Sequence, residues 1–341
     1  MNHYLKRPDS IQFEISSNCN ALCQGCARQD GLNLTQVDPR IPKNQFMDVN
    51  DYIRVMSHEF FSSSIYEVFF CGTIDDPIMH PKFHDFVDWT VKNTDLKIFI
   101  DTNGAARSPT WWSQLAALSG DRVLVKFNVD GSDDTNAMNR QFTRFDRIME
   151  NAQAYIDAGG RARWQMIEFN WNSHQIDTAR RLSEHMGFED FKVRRNNVTD
   201  LNQDYDSALE TRIRHETRRL EHTWETYLHS VKQHKTSGIK CRFNGDGSED
   251  RSYMVSYAGE IWPCCFVYNI KYQGNGEFAN SQRQYEEKYG KHWNSIHHNS
   301  IDDIVNGPLF SNDLATSWDN LTDIGTGGCN PVCVVNCGGI K

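Results

Sequence analysis

Cys19-Asn20-Ala21-Leu22-Cys23-Gln24-Gly25-Cys26 follows closely on the alternating apolar run Ile11-Gln12-Phe13-Glu14-Ile15. Three cysteines spaced C-x3-C-x2-C directly after a strand signal form a ligand set. Thiolates are the usual ligands of iron–sulfur clusters, and three of them leave one corner of a four-coordinate centre open for chemistry. The same stretch also admits a zinc site, because closely spaced cysteines in a reducing compartment often bind zinc. A disulfide is the weaker reading.

Outward from this loop, strand and helix signals alternate. Asp48 to Phe60 carries Val49, Tyr52, Ile53, Met56 and Phe60 at helical spacing, which predicts one first helix. Ile65 to Cys71 reads as a buried strand ending in Gly72-Thr73-Ile74-Asp75-Asp76-Pro77, and Leu96 to Ile100 as another ending in Asp101-Thr102-Asn103-Gly104. Ser108 followed by Pro109 predicts a capped helix that stops at Gly120. Arg122 to Val129 is a strand running into Asp130-Gly131, followed by a helical stripe from Phe145 to Ile156. Trp164 to Phe169, a helix capped by Ser173 and stopped by Gly187, and Phe191 to Val193 complete six strand–helix units. This is an α/β pattern that fits a parallel barrel or open barrel, in which ligands lie at the carboxyl ends of the strands. The cysteine loop, Gly72-Thr73, Thr102-Asn103-Gly104 and Asn128 to Gly131 would then share one mouth.

The chain has 341 residues, a formal charge of −9 and ten cysteines. Its length suits one large domain or one with an appendage, and we expect a barrel over residues 1–200, a helical connector over 201–240 and a cysteine-rich domain over 241–341. The N-terminus has no apolar signal region, and no apolar run approaches the ~18 residues of a membrane span, so a cytoplasmic protein is expected. There, grouped cysteines indicate metal or cluster ligation rather than disulfides. Scattered Lys and Arg argue against a nucleic-acid groove as the main binding surface.

These residues resemble the radical S-adenosylmethionine (radical SAM) superfamily, over roughly residues 10–195. The resemblance implies a partial (β/α)6 TIM-like barrel in which Cys19, Cys23 and Cys26 bind three irons of a [4Fe-4S] cluster. The amino and carboxylate groups of S-adenosylmethionine would chelate the fourth. The family's Gly-Gly-Glu motif falls on Cys71-Gly72-Thr73, which keeps only the middle glycine, with Asp75 and Asp76 close behind; its Thr-Asn-Gly is matched by Thr102-Asn103-Gly104, and its fourth-strand segment by Asn128-Val129-Asp130-Gly131. Gly72, Thr73, Asp75, Thr102, Asn103, Asn128 and Asp130 are therefore the implied cofactor contacts. One departure is Gly25, which stands where the family usually has an aromatic residue.

Leu201 to Val231 has apolar residues at helical spacing among charged ones, an amphipathic cover for the barrel; His215, His222, His229 and His234 there make no ligand spacing. Beyond it, Tyr253 to Cys264 reads as a hairpin delivering a cysteine, and Cys329, Cys333 and Cys337 group near the end. This set resembles the auxiliary-cluster domains called SPASM and twitch, which implies one auxiliary [4Fe-4S] cluster held by Cys241, Cys264 and two of Cys329, Cys333 and Cys337. A zinc knuckle is the alternative. Cys265 is left over, as a packing residue or a thiol that quenches a radical.

The resemblance implies an oxidoreductase-type enzyme that cleaves S-adenosylmethionine to a 5′-deoxyadenosyl radical, which abstracts hydrogen from a substrate C–H bond. The auxiliary cluster would assist oxidation or cross-linking of a peptide or small molecule, and an electron donor such as flavodoxin or ferredoxin is the implied partner. Only 18 residues precede Cys19, leaving no room for a leader-binding domain, which weakens the peptide reading. Two other readings stay open. One is a radical SAM epimerase in which Cys71 or Cys265 returns a hydrogen atom; the other is a non-catalytic binding protein stabilised by zinc or Fe–S.

Overall fold

The computed structural model describes residues 7–29, 35–195, 252–269, 271, 285–317 and 333. The expected connector helix, its histidines, Cys241, Cys329 and Cys337 lie outside them. The described chain forms two compact units, one of residues 13–49 and 66–195, the other of residues 7–12, 50–65 and those beyond 251.

Strand β1 (Ser10–Phe13) leads into the cysteine loop, which contains the two-residue strand β2 (Leu22–Cys23). The helix expected over 48–60 is two, α1 (Val49–Ser57) and α2 (Glu59–Ser62). His58 takes an extended backbone between them, and its ring nitrogen accepts a hydrogen bond from Phe60 N at 3.3 Å, so a side-chain cap interrupts an unbroken apolar period.

In the first unit β3 (Glu67–Phe70), α3 (Phe83–Asn93), β4 (Lys97–Thr102), α4 (Pro109–Ser119) and β5 (Val123–Asn128) follow in turn. Then come α5 (Asn136–Asn139), β6 (Arg140–Gln141), α6 (Phe145–Asp157), β7 (Arg161–Glu168), α7 (Ile176–Met186) and β8 (Asp190–Arg195). β3, β4, β5, β7 and β8 pair in that order, all parallel, which is the sheet of a partial α/β barrel. Ser108 caps α4 through Trp111 N, as expected, and Gly187 ends α7 at φ 88°. Ser173 does not cap α7: it opens a short 3-10 turn, and Gln175 precedes the helix without a side-chain cap.

Period-two alternation splits each strand between two faces. Phe70 packs edge-on against Phe83 and Phe86 of α3, and Phe127 lies 5.1 Å from Trp112 of α4 and 6.3 Å from Tyr155 of α6. All are fully buried. Each contributes roughly 1.5–3 kcal/mol by leaving water, and together they fix the sheet against its helices. The opposite face is half-buried and more polar: Phe69 stacks on Phe99, Lys126 pairs with Asp101 at 2.7 Å, and Gln165 donates to Asn128 Oδ1 at 3.0 Å.

In the other unit β9 (Ser252–Val255) and β10 (Ile261–Trp262) form the expected antiparallel hairpin. Tyr253 packs edge-on against Phe60 and Phe61 and stacks on Phe310. Among the described residues no helix is long and apolar enough to cross a membrane.

Candidate active site

The cysteine loop is folded by its neighbours in the first unit. Gly25 has φ +78°, a conformation that side chains beyond glycine rarely adopt, and this lets the chain turn between Cys23 and Cys26, whose N donates to Cys23 O at 3.2 Å. An aromatic residue at position 25 would be strained in this backbone. β2 pairs antiparallel with β6, opposing Cys23 to Arg140 and Leu22 to Gln141.

Each sulfur has a polar neighbour. Cys19 Sγ accepts from Ala21 N at 3.4 Å and lies 3.8 Å from Asn103 Nδ2; Cys23 Sγ lies 3.8 Å from Arg140 Nη1; Cys26 Sγ accepts from Arg28 N at 3.4 Å and lies 3.9 Å from Thr73 O. Burial pushes all three thiols up, Cys23 to about 12, and in each the neighbouring charges add to or offset that effect. Two guanidinium groups supply positive charge. Arg28 donates to Ser17 O and Ile74 O, both at 2.7 Å, and Arg140 is ion-paired with Asp130 at 2.8 Å. Burial works against the charge of Arg140, but Asp130 and Cys23 outweigh it and hold its pKa above the ordinary value.

The expected cofactor residues fall into two groups. Gly72 and Thr73 lie beside the loop, their turn held by Glu14, whose Oε2 accepts from Thr73 N and, at 2.9 Å, from Ile74 N. A Cβ on Gly72 would lie 1.7 Å from Asp75 Oδ1, so this backbone leaves room for nothing larger. Asp75 Oδ2 accepts from Ser16 N at 2.9 Å while its Oδ1 is buried with no hydrogen-bond partner among the described residues. Burial, then Glu14 and Asp76, raises the Asp75 carboxyl well above the carboxylate range.

Thr102 and Asn103 are tied to Asp76, whose Oδ2 accepts from Thr102 Oγ1 at 3.0 Å and from Asn103 N at 2.8 Å. Asn103 Nδ2 also donates to Asn20 Oδ1 at 2.8 Å, which brings the third-strand motif to the cysteine loop. Asn128 lies on the half-buried face, bonded to Gln165 and to Thr102 O. Asp130 is fully buried; Oδ1 accepts from Ile167 N at 2.8 Å and Oδ2 from Asn139 Nδ2 at 2.6 Å. It reaches the loop through Arg140. Cys71 directly follows β3 and is half-buried.

Sequence reasoning missed Glu14, Arg28, Asn139 and Arg140 and undervalued Asp76. Each acts across a large sequence separation, for which no local pattern exists. In the other unit Cys264 and Cys333 are buried and half-buried Cys265 opens the helix Cys265–Asn269.

Among the described residues no three His, Cys, Asp or Glu side chains converge as the ligands of one metal ion do. The donor chemistry of Cys19, Cys23 and Cys26, with Arg28 and Arg140 to balance thiolate charge, fits a cluster, whose thiolates bind separate irons.

No protein-family model matches the chain, and no curated protein matches it in sequence. Its fold is matched among solved structures. SuiB of Streptococcus suis bound to its precursor peptide SuiA has a TM-score of 0.54 at 12% identity, covering 88% of this chain and 66% of that one. SuiB bound to S-adenosylmethionine has a TM-score of 0.51 at 14% identity, covering 84% and 64%, so the match spans just under two thirds of SuiB. anSMEcpe with bound AdoMet has a TM-score of 0.53 at 13% identity, covering 94% and 89%. The chain has the α/β fold of the radical SAM enzymes SuiB and anSMEcpe.

Proposed function

We propose that this protein is a radical SAM enzyme whose cysteine loop holds a [4Fe-4S] cluster and whose β3, β4 and β5 loops hold S-adenosylmethionine. The observation that carries the reading is the meeting of Cys19 and Cys26 with Asn103 and Thr73, three chain segments far apart in sequence, in a chain with this fold. When bound, cluster and cofactor would supply a 5′-deoxyadenosyl radical able to take hydrogen from an unactivated C–H bond.

The chain's own residues do the rest. Cys19, Cys23 and Cys26 ligate, and Arg28 and Arg140 offset the thiolate charge. Gly72 leaves room for the Asp75 side chain beside it, and Asp75 offers a buried carboxyl oxygen to an amino group. Asp76 fixes Thr102 and Asn103 against the loop, and Asn128 faces the polar side of the sheet.

We further propose a peptide substrate, since SuiB and anSMEcpe are described with bound peptides, an auxiliary [4Fe-4S] cluster in residues 241–341 beyond the barrel of residues 1–200, and a cytoplasmic location with flavodoxin or ferredoxin as reductant. Oxidation or cross-linking is the favoured outcome. Epimerisation is the second reading, favoured by the half-buried thiol of Cys71 directly after β3, and solvent deuterium retained at a substrate carbon would establish it.

The test is anaerobic reconstitution with iron and sulfide, reduction, and addition of S-adenosylmethionine. Formation of 5′-deoxyadenosine and methionine is expected; neither product from a protein loaded with cluster would overturn the reading. Stoichiometric zinc without sulfide in native protein would favour the metal-stabilised binding protein.

A further inference from the structure

We propose that Lys192 and Arg194 of β8 bind acidic side chains of the substrate, so that the protein selects a peptide with Asp or Glu at alternate positions. The inference deepens the peptide reading above and rests on it.

Strand register sets these two charges apart. On the polar face of the sheet Asp101, Lys126, Arg163 and Asp190 oppose one another across β4, β5, β7 and β8 and form a single row. That row neutralises itself, Lys126 pairing with Asp101 at 2.7 Å and Arg163 with Asp190 at 3.0 Å. Toward the carboxyl ends of the strands the next row is Asn128, Gln165 and Lys192, and the one after it sets Ile167 beside Arg194. Among the described residues of these strands no acid lies beyond the neutral row on this face. Asp130, just past Asn128, is fully buried and ion-paired with Arg140 at 2.8 Å, and Glu168 opposes Arg195 on the other face. Lys192, 54% exposed, comes only within 3.8 Å of Asp190, whose carboxylate already holds Arg163. Arg194 is exposed and has no ion-pair partner among the described residues. A chain of formal charge −9 therefore keeps uncompensated positive charge at the mouth end of β8.

The spacing points to the kind of ligand. Lys192 and Arg194 are two residues apart on one strand face, about 7 Å, which is also the repeat of same-face side chains in an extended peptide. A peptide lying along β8 meets both cations with residues i and i+2, and each contact is a charge-assisted hydrogen bond, bidentate where the guanidinium takes a carboxylate. A lone terminal carboxylate matches only one of them. The place suits a substrate: Lys192 is two strand spacings, about 10 Å, from Asn128, at the end of the sheet where Thr102 and Asn103 also stand.

The experiment is calorimetric titration of the full chain, loaded with cluster, with three N-acetylated peptides. The first is Gly-Glu-Gly-Glu-Gly-Glu amidated at its C-terminus, the second has Gln for every Glu, and the third is the Gln peptide with a free terminal carboxylate. We expect the Glu peptide to bind about tenfold more tightly than the amidated Gln peptide, and the double variant Lys192→Gln with Arg194→Gln to abolish the difference. Both side chains are exposed, so the double variant should melt as wild type does. Arg195→Gln removes one of these charges from the other face and should keep the preference within about twofold. Equal binding of Glu and Gln peptides, a preference that survives the double variant, or its equal loss in Arg195→Gln would overturn the inference. So would a free-carboxylate Gln peptide that binds as tightly as the Glu peptide, or displacement of the Glu peptide by equimolar inorganic phosphate. All of these outcomes leave the radical SAM reading standing, because 5′-deoxyadenosine formation is measured on the same preparations without peptide; a cluster-loaded wild type that forms none overturns that reading instead.

Discussion

Asp76 holds Asn103 through a single carboxylate oxygen, its Oδ2 accepting from the backbone N at 2.8 Å and from the side-chain Nδ2 at 2.6 Å. Asn103 in turn reaches Cys19 and Asn20. One buried carboxylate therefore ties the end of β4 to the cysteine loop. Asp76→Ala leaves buried donors on Asn103, Thr102 and Ile78 without their acceptor, and we expect a loss of about 3 kcal/mol in urea unfolding. Retention of wild-type stability would show that Asp76 is not the tie.

The same carboxyl carries a pH signature. Burial raises Asp76 from 3.8 to about 6, against hydrogen bonds from Asn103 N, Thr102 and Ile78 that favour the charged form. A group whose folded pKa is raised binds its proton more tightly in the native state, so its contribution is full below about pH 4 and is lost as pH rises through 6, roughly 3 kcal/mol in all. Subtracting the stability of Asp76→Asn from that of wild type across pH 4–7 isolates this slope; a flat difference would refute it.

Arg140→Met strands the fully buried Asp130 without its ion-pair partner. Removing one partner of a buried pair costs about 3–5 kcal/mol, and Arg140→Met with Asp130→Asn should recover part of it. Chemical denaturation of the four proteins closes the double-mutant cycle.

Gly72→Ala places a Cβ 1.7 Å from Asp75 Oδ1 and 2.4 Å from Asp75 O, so the turn must shift. Overpacking of this kind costs about 1–3 kcal/mol. Thermal melts should show the loss, and binding of S-adenosylmethionine, read by calorimetry on cluster-loaded protein, should weaken with it.

Replacing Cys19, Cys23 and Cys26 together by Ala should leave circular dichroism and melting almost unchanged, because the core formed by Phe70, Phe127 and Trp164 does not involve them. A structural metal site would behave in the opposite way, its loss unfolding the protein.

Much of this fold is legible one segment at a time. The Ser108-Pro109 cap, the stop at Gly187 and the strands ending at Phe70, Thr102 and Asn128 follow from residue type and period. His58 and Ser173 mislead for a physical reason: an apolar period runs through the first although its ring caps a new helix, and a residue suited to capping sits one short turn early in the second. β2 and β6 have two residues each, too few for any alternation to register. Cys19, Cys23 and Cys26 declare their chemistry by spacing, whereas Glu14 meets Thr73 59 residues away and Arg140 meets Cys23 across 117, contacts that exist only after folding.

That last separation bears on biosynthesis. Cys23 leaves the ribosome well before Arg140, and at about 5–20 residues per second the interval is roughly 6–23 s. Until β6 has been made and has folded back on β2, the middle cysteine has no paired strand to hold it. On the cluster assignment proposed above, iron delivered to the nascent chain would meet a loose peptide, and iron delivered after residue 140 a formed socket. Pausing of translation before that point would lengthen the time these thiols stand open to oxidation.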